Sequence, residues 1–166
     1  MTLTTHAVIG AAAASMVPGH PTLAFGLAFA SHFVLDAIPH WHYPVKSMKK
    51  DKRDRMNNDM VIGRYFVSDM AVIGSDALLG IGISLIVFSY FGHLSWQLIL
   101  IGTIAGILPD PLQFVYWKFR HEPFIYLQRL HMGIHATTDL DDRLLLGVGS
   151  QILLILGAVL AIMLIV

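Results

Sequence analysis

The residues able to do chemistry in this chain are histidines and carboxylates. Nine histidines and eleven Asp and Glu residues stand in a sequence of 166 that has no cysteine. That excludes disulfides, thiolate metal sites and a Cys nucleophile. His32 and Asp36 are four apart, as are His131 and His135, and residues at that spacing share one helix face. His6 and Asp76 each open an apolar segment, while Asp36 and Asp110 each close one. An ionisable side chain at mid-depth in a bilayer costs at least ~2.5–3.5 kcal/mol, so each needs a compensating partner. Neutral imidazoles mixed with carboxylates are what a divalent ion requires, with zinc the first choice and manganese or iron the alternatives. The structural alternatives are specific. His20 and His93 read as packing residues, Asp110 between Pro109 and Pro111 as a helix-breaking cap, Asp76 as a partner of Arg64, and the His131/His135 pair as an interfacial polar face. No phosphate loop and no Gly-x-Ser-x-Gly elbow occurs.

These residues have to be positioned by apolar helices. Hydrophobic residues make up 55% of the chain, charged residues 13%, and the formal net charge is zero. Mean hydropathy is +0.66. Such a balance points to a membrane and away from a nucleic-acid partner. Five apolar stretches cover about residues 4–17, 22–38, 61–91, 95–117 and 144–166. Read as helices, they predict an all-α integral membrane protein with five transmembrane helices. The chain is then one membrane domain. Repeat 1 covers about residues 4–39, a loop 40–60, repeat 2 about 61–117, a polar segment 118–143, and a C-terminal helix 144–166. The repeat rests on Thr5-His6-Ala7-Val8-Ile9-Gly10-Ala11 against Ser75-Asp76-Ala77-Leu78-Leu79-Gly80-Ile81, each followed 30 or 34 residues later by Asp36 or Asp110. All eleven Lys and Arg fall on one side of such a threading. The positive-inside rule makes that side cytoplasmic, with the N-terminus in, the C-terminus out and no signal peptide. The alternating charges of 46–55 read as a solvated loop on the membrane surface.

The opening Thr5-His6-x-x-x-Gly10 is one of several short motifs that together point to a family. The others are Ser31-His32-Phe33-x-x-Asp36-x-x-Pro39-His40, then Leu108-Pro109-Asp110 and the late histidine pair. With these the chain resembles the bacterial membrane-bound, metal-dependent hydrolases of the YdjM-like group, themselves distantly similar to zinc-dependent phospholipase C. The resemblance implies that His6, Asp110, His131 and His135 are metal ligands, with His32 and Asp36 as additional candidates. The chain departs from the family where Pro111-Leu112-Gln113 follows Asp110, and where His131-Met132-Gly133-Ile134-His135 lacks the family's Arg, Thr and Ser. Either the site has been rebuilt around His32, Asp36 and His40, or the fold has outlived the catalysis.

The function expected is metal-dependent hydrolysis at the cytoplasmic membrane surface, on a phosphoester of a lipid or lipid-linked substrate. A bound metal lowers the pKa of its water toward ~7 and supplies the nucleophile. Asp76 is the expected proton-accepting carboxylate, and Arg129 with the loop lysines holds the phosphate. Membrane lipids are the expected partners. A divalent-cation or proton transporter, using the same polar cluster as a transit site, and a non-catalytic membrane scaffold are the two alternatives.

Overall fold

A computed structural model describes residues 1–165 of the chain. Among the described residues it is all-helical but for a short two-stranded β-ribbon, and the α-helices are α1 (Leu3–Ser15), α2 (Pro21–Asp36), α3 (Phe66–Tyr90), α4 (Trp96–Ile107), α5 (Pro109–Phe119), α6 (Phe124–Ile134) and α7 (Leu144–Ile165). β1 (Met48–Lys49) and β2 (Asp59–Met60) pair antiparallel within the loop between α2 and α3.

The expectation of five membrane spans is corrected. Two helices, α3 and α7, are long and apolar enough to cross a membrane, and α4 with α5 makes a third if the pair is one span bent by 43°. The reason is length. α1 has 13 residues and α2 has 16, so at 1.5 Å per residue they reach roughly 20 and 24 Å, short of a hydrocarbon core of ~30 Å. On α3 and α7 the outward side chains remain bare, with Val67 75%, Leu78 71% and Leu145 92% exposed. Apolar surface of that extent is disfavoured in water and suits lipid.

α1 is instead the centre of the bundle, touching α2, α3, α4 and α7. An apolar helix without a polar face is a helix meant for burial, and from Leu3 to Ser15 most of its side chains are buried. Glycines set its closest approach. A Cβ on Gly102 would stand 2.7 Å from the Cα of Ala11, and one on Gly106 would stand 2.5 Å from the carbonyl oxygen of His6. The Gly102-x-x-x-Gly106 spacing therefore brings the α1 and α4 backbones into contact.

The start of α1 is capped twice. Thr2 accepts from the N–H of Thr5. The Asp76 carboxylate, from α3, accepts from the N–H of Leu3 at 2.6 Å and from the Thr4 hydroxyl at 2.6 Å. A carboxylate at a helix N-terminus satisfies free donors and complements the dipole.

Candidate metal centre

Four helix ends meet below the α1–α4 contact. α2 carries His32 and, as its last residue, Asp36. The chain breaks between α4 and α5 at Leu108, where Pro109 takes the first position of α5 and Asp110 the next. Proline is tolerated there because the first turn of a helix has no use for that N–H. α6 contributes His131. One ligand atom from each of His32, Asp36, Asp110 and His131 lies within 4.8 Å of all the others.

Asp36 is the hub. Its Oδ2 stands 3.1 Å from Nε2 of His32 and 2.9 Å from Nε2 of His131. Its Oδ1 stands 3.2 Å from Nε2 of His6, 3.4 Å from the Met1 amino group and 3.7 Å from Nε2 of His40. Asp110 approaches from the other hairpin, with Oδ1 3.5 Å from Nε2 of His32 and 3.9 Å from Nε2 of His131. The His32 and Asp36 side chains are 0% and 2% exposed, whereas Asp110 is 34% exposed and forms the open side of the cluster.

Tautomers follow from the partners. His32 Nδ1 lies 2.8 Å from the Gly106 carbonyl oxygen, which only accepts, so Nδ1 carries the hydrogen and donates. In the neutral ring Nε2 then bears a lone pair, and it faces two carboxylate oxygens with no hydrogen-bond partner. Lone pair against lone pair in a buried site is repulsive unless a cation or a proton stands between them.

A second group lies beside the first. After α6 the chain runs back along the segment that follows α2. The Ala136 N–H donates to the Asp36 carbonyl at 2.7 Å, and that of Leu140 to the His40 carbonyl at 3.0 Å. The His42 N–H then donates to Asp141 Oδ1 at 2.8 Å. This pairing gathers His40, His42 and His135, which offer one ring nitrogen each within 4.8 Å of the others. Burial, reinforced by the Met1 ammonium, pushes His40 down to about 3. Burial also holds His42 and His135 below the ordinary imidazole value, against the opposing carboxylate of Asp141 for His42 and the Ala136 carbonyl for His135. All three are neutral imidazoles at physiological pH.

The sequence-predicted residues are thus divided. His32, Asp36, Asp110 and His131 form one group. His6 stacks on His32 with ring centroids 3.9 Å apart and touches the far oxygen of Asp36, outside the four-residue group. His135 parts from His131 and joins His40 and His42. Asp76 is held at the start of α1, and it forms no ion pair with Arg64 among the described residues. Arg129 is exposed on α6. His42 and Asp141 are the residues that sequence reasoning missed. Their only local signal is the alternation His40-Trp41-His42, which in extended chain points both imidazoles one way.

An apolar cavity of about 420 Å³ opens against both groups, bounded by Leu3, Val45, Ile73 and Phe114, with Asp110 and His42 in its wall. Compared with family models, with curated proteins and with solved structures, the chain has no match in any of the three.

Proposed function

We propose that this protein is a metal-dependent hydrolase of a membrane amphiphile, with His32, Asp36, Asp110 and His131 holding a divalent ion, zinc in the first place. One observation carries the reading: the unpartnered Nε2 of His32 aimed at two carboxylate oxygens. A divalent ion held among these atoms would relieve that repulsion. The donor set of imidazole and carboxylate suits zinc, with manganese or iron as close seconds. When bound, such an ion would supply an activated water near neutral pH.

The chain supplies the rest. Gly106 fixes the His32 ring through its carbonyl, the kind of outer contact that orients a ligand histidine. Asp110, the most exposed of the four, faces the cavity, so an ion held there would be open to substrate from that side. The cavity is large enough for a drug-sized or acyl portion of a ligand, and its apolar wall favours a lipid or lipid-linked phosphoester. Arg129 and the basic 46–55 loop suit anionic headgroups at the surface. The motif resemblance to the YdjM-like hydrolases agrees with this chemistry. The one-sided Lys and Arg favour placement in the inner membrane with the site facing the cytoplasm.

The test is metal content and turnover together. Detergent-purified protein should retain zinc and, in mixed micelles, release phosphate or a phosphorylated headgroup from a phospholipid. Turnover and the ion held by these four residues should both be lost in the His32→Ala, Asp36→Ala double variant. Metal-free protein whose thermal stability is unmoved by chelator would overturn the reading.

A further inference from the structure

We infer that the chain binds a second divalent cation, through His40, His42 and His135, with Asp141 as the residue that orients His42. Nothing in the proposed hydrolase chemistry requires this site, and it stands on different side chains.

The tautomers again decide. His40 Nδ1 lies 2.6 Å from the Ile38 carbonyl oxygen, His42 Nδ1 lies 3.0 Å from Asp141 Oδ1, and His135 Nδ1 lies 3.0 Å from the Ala136 carbonyl oxygen. Each of these oxygens only accepts, so each Nδ1 donates and each Nε2 is left with its lone pair. The guanidinium of Arg55 reaches His135 Nδ1 at 3.5 Å, the limit of a hydrogen bond, and the Ala136 carbonyl is the nearer partner. His40 Nε2 is buried without a partner. Three neutral imidazoles with their Nδ1 atoms committed to oxygen are the ligand half of an open zinc site, in which water or substrate takes the fourth position. The His42–Asp141 contact has the carboxylate–histidine arrangement that fixes ring orientation and raises ligand basicity.

Position adds a further argument. His42 lines the same cavity as Asp110, and His40 Nε2 stands 3.7 Å from the Asp36 oxygen that the first group leaves free. The two ions would flank one apolar cavity, with the Asp36 carboxylate between them. The local backbone is tied by the 36–42 and 136–141 pairing, so the three rings are held before any ion arrives.

The experiment is a titration of the full-length protein in detergent, stripped with chelator and reloaded with Zn²⁺ or Co²⁺, with metal per chain read by mass spectrometry. Wild type should take two ions. His42→Ala should keep only the ion of the first group, and Asp141→Asn should bind the three-imidazole ion about 10–100-fold more weakly. His32→Ala should lose the other ion and keep this one. The visible Co²⁺ spectrum of His32→Ala reports the three-imidazole site alone, so a general loss of fold is distinguishable from a lost ligand. A wild-type stoichiometry of one that survives His42→Ala and His135→Ala overturns the second site and leaves the hydrolase centre intact. A stoichiometry of one that survives His32→Ala but not His42→Ala does the reverse.

Discussion

His32 on α2 donates its Nδ1–H to the carbonyl oxygen of Gly106 on α4 at 2.8 Å. That carbonyl is reachable because Gly106 has no side chain and α1 presses its His6 backbone into the space a Cβ would fill. One glycine therefore sets the separation of α1 and α4 and the tautomer of a buried imidazole. Fold and site share that contact.

Gly106→Ala accordingly tests both. The added Cβ meets backbone, which cannot swing away, so α1 and α4 must separate. The expected cost is about 1–3 kcal/mol, the range for overpacking, with a parallel loss of metal affinity as His32 turns. Gly82→Ala on α3 is the control. Its Cβ meets nothing within 4 Å, and the better helix propensity should leave stability equal or higher. Thermal unfolding and metal titration of the two variants in detergent decide it. Equal behaviour would separate the glycine from the site.

Asp36 and Asp110 should fail differently. Asp36 is buried among four imidazoles and the Met1 amine, whereas Asp110 is one-third exposed. Asp36→Asn should cost about 3–5 kcal/mol, as loss of one partner from a buried charged cluster does, and should abolish binding of the ion at the His32–Asp110 group. Asp110→Asn should cost about 1 kcal/mol or less, as for more exposed charges, while still lowering metal affinity and abolishing turnover. Chemical or thermal unfolding beside metal analysis separates the two. Equal destabilisation would mean that Asp110 has a structural role that its exposure does not suggest.

What could be read in the sequence was the local part. His32 and Asp36 lie on one turn of one helix, and four-residue spacing within a helix is sufficient to pair them. The same rule misplaced His135. α6 ends at Ile134, and His135 has an extended ψ of 131°, so it turns out of the helix instead of stacking a turn beyond His131. Asp110 was reachable through the repeat, which put an acid at the end of each hairpin. His42 and Asp141 were not, because they meet only through backbone pairing of segments 99 residues apart. The span count failed on α1 and α2, where apolar character signals burial within protein as readily as burial in lipid.

Asp76 was read as catalytic, and its surroundings give a sharper expectation. It accepts from two backbone N–H groups and the Thr4 hydroxyl at the start of α1. Asp76→Ala should therefore cost about 0.5–2 kcal/mol, the range for loss of a cap, while metal content stays at the wild-type level. Asp76→Asn, which keeps an accepting oxygen, should recover part of the stability. If Asp76→Asn instead retained full stability and lost turnover, the carboxylate would have a chemical role beyond the cap.

The last expectation is topological, and the absence of cysteine makes it direct to measure. If α4–α5 is one bent span, then α3, α4–α5 and α7 leave the same sidedness as five spans, because the two helices removed from the count form one hairpin and a hairpin returns the chain to its starting side. Every Lys and Arg then stays on the side that holds the metal cluster, and the positive-inside rule predicts that side to be the cytoplasm. Gln97, exposed in the first turn of α4, lies at the opposite end. A Gln97→Cys variant in intact cells should react with a membrane-impermeant maleimide. Lys50→Cys, on the exposed loop after β1, should react only after the membrane is opened. Labelling of Lys50→Cys in intact cells, with Gln97→Cys protected, would invert the orientation and put the metal site outside the cell membrane, where a cytoplasmic substrate could not reach it.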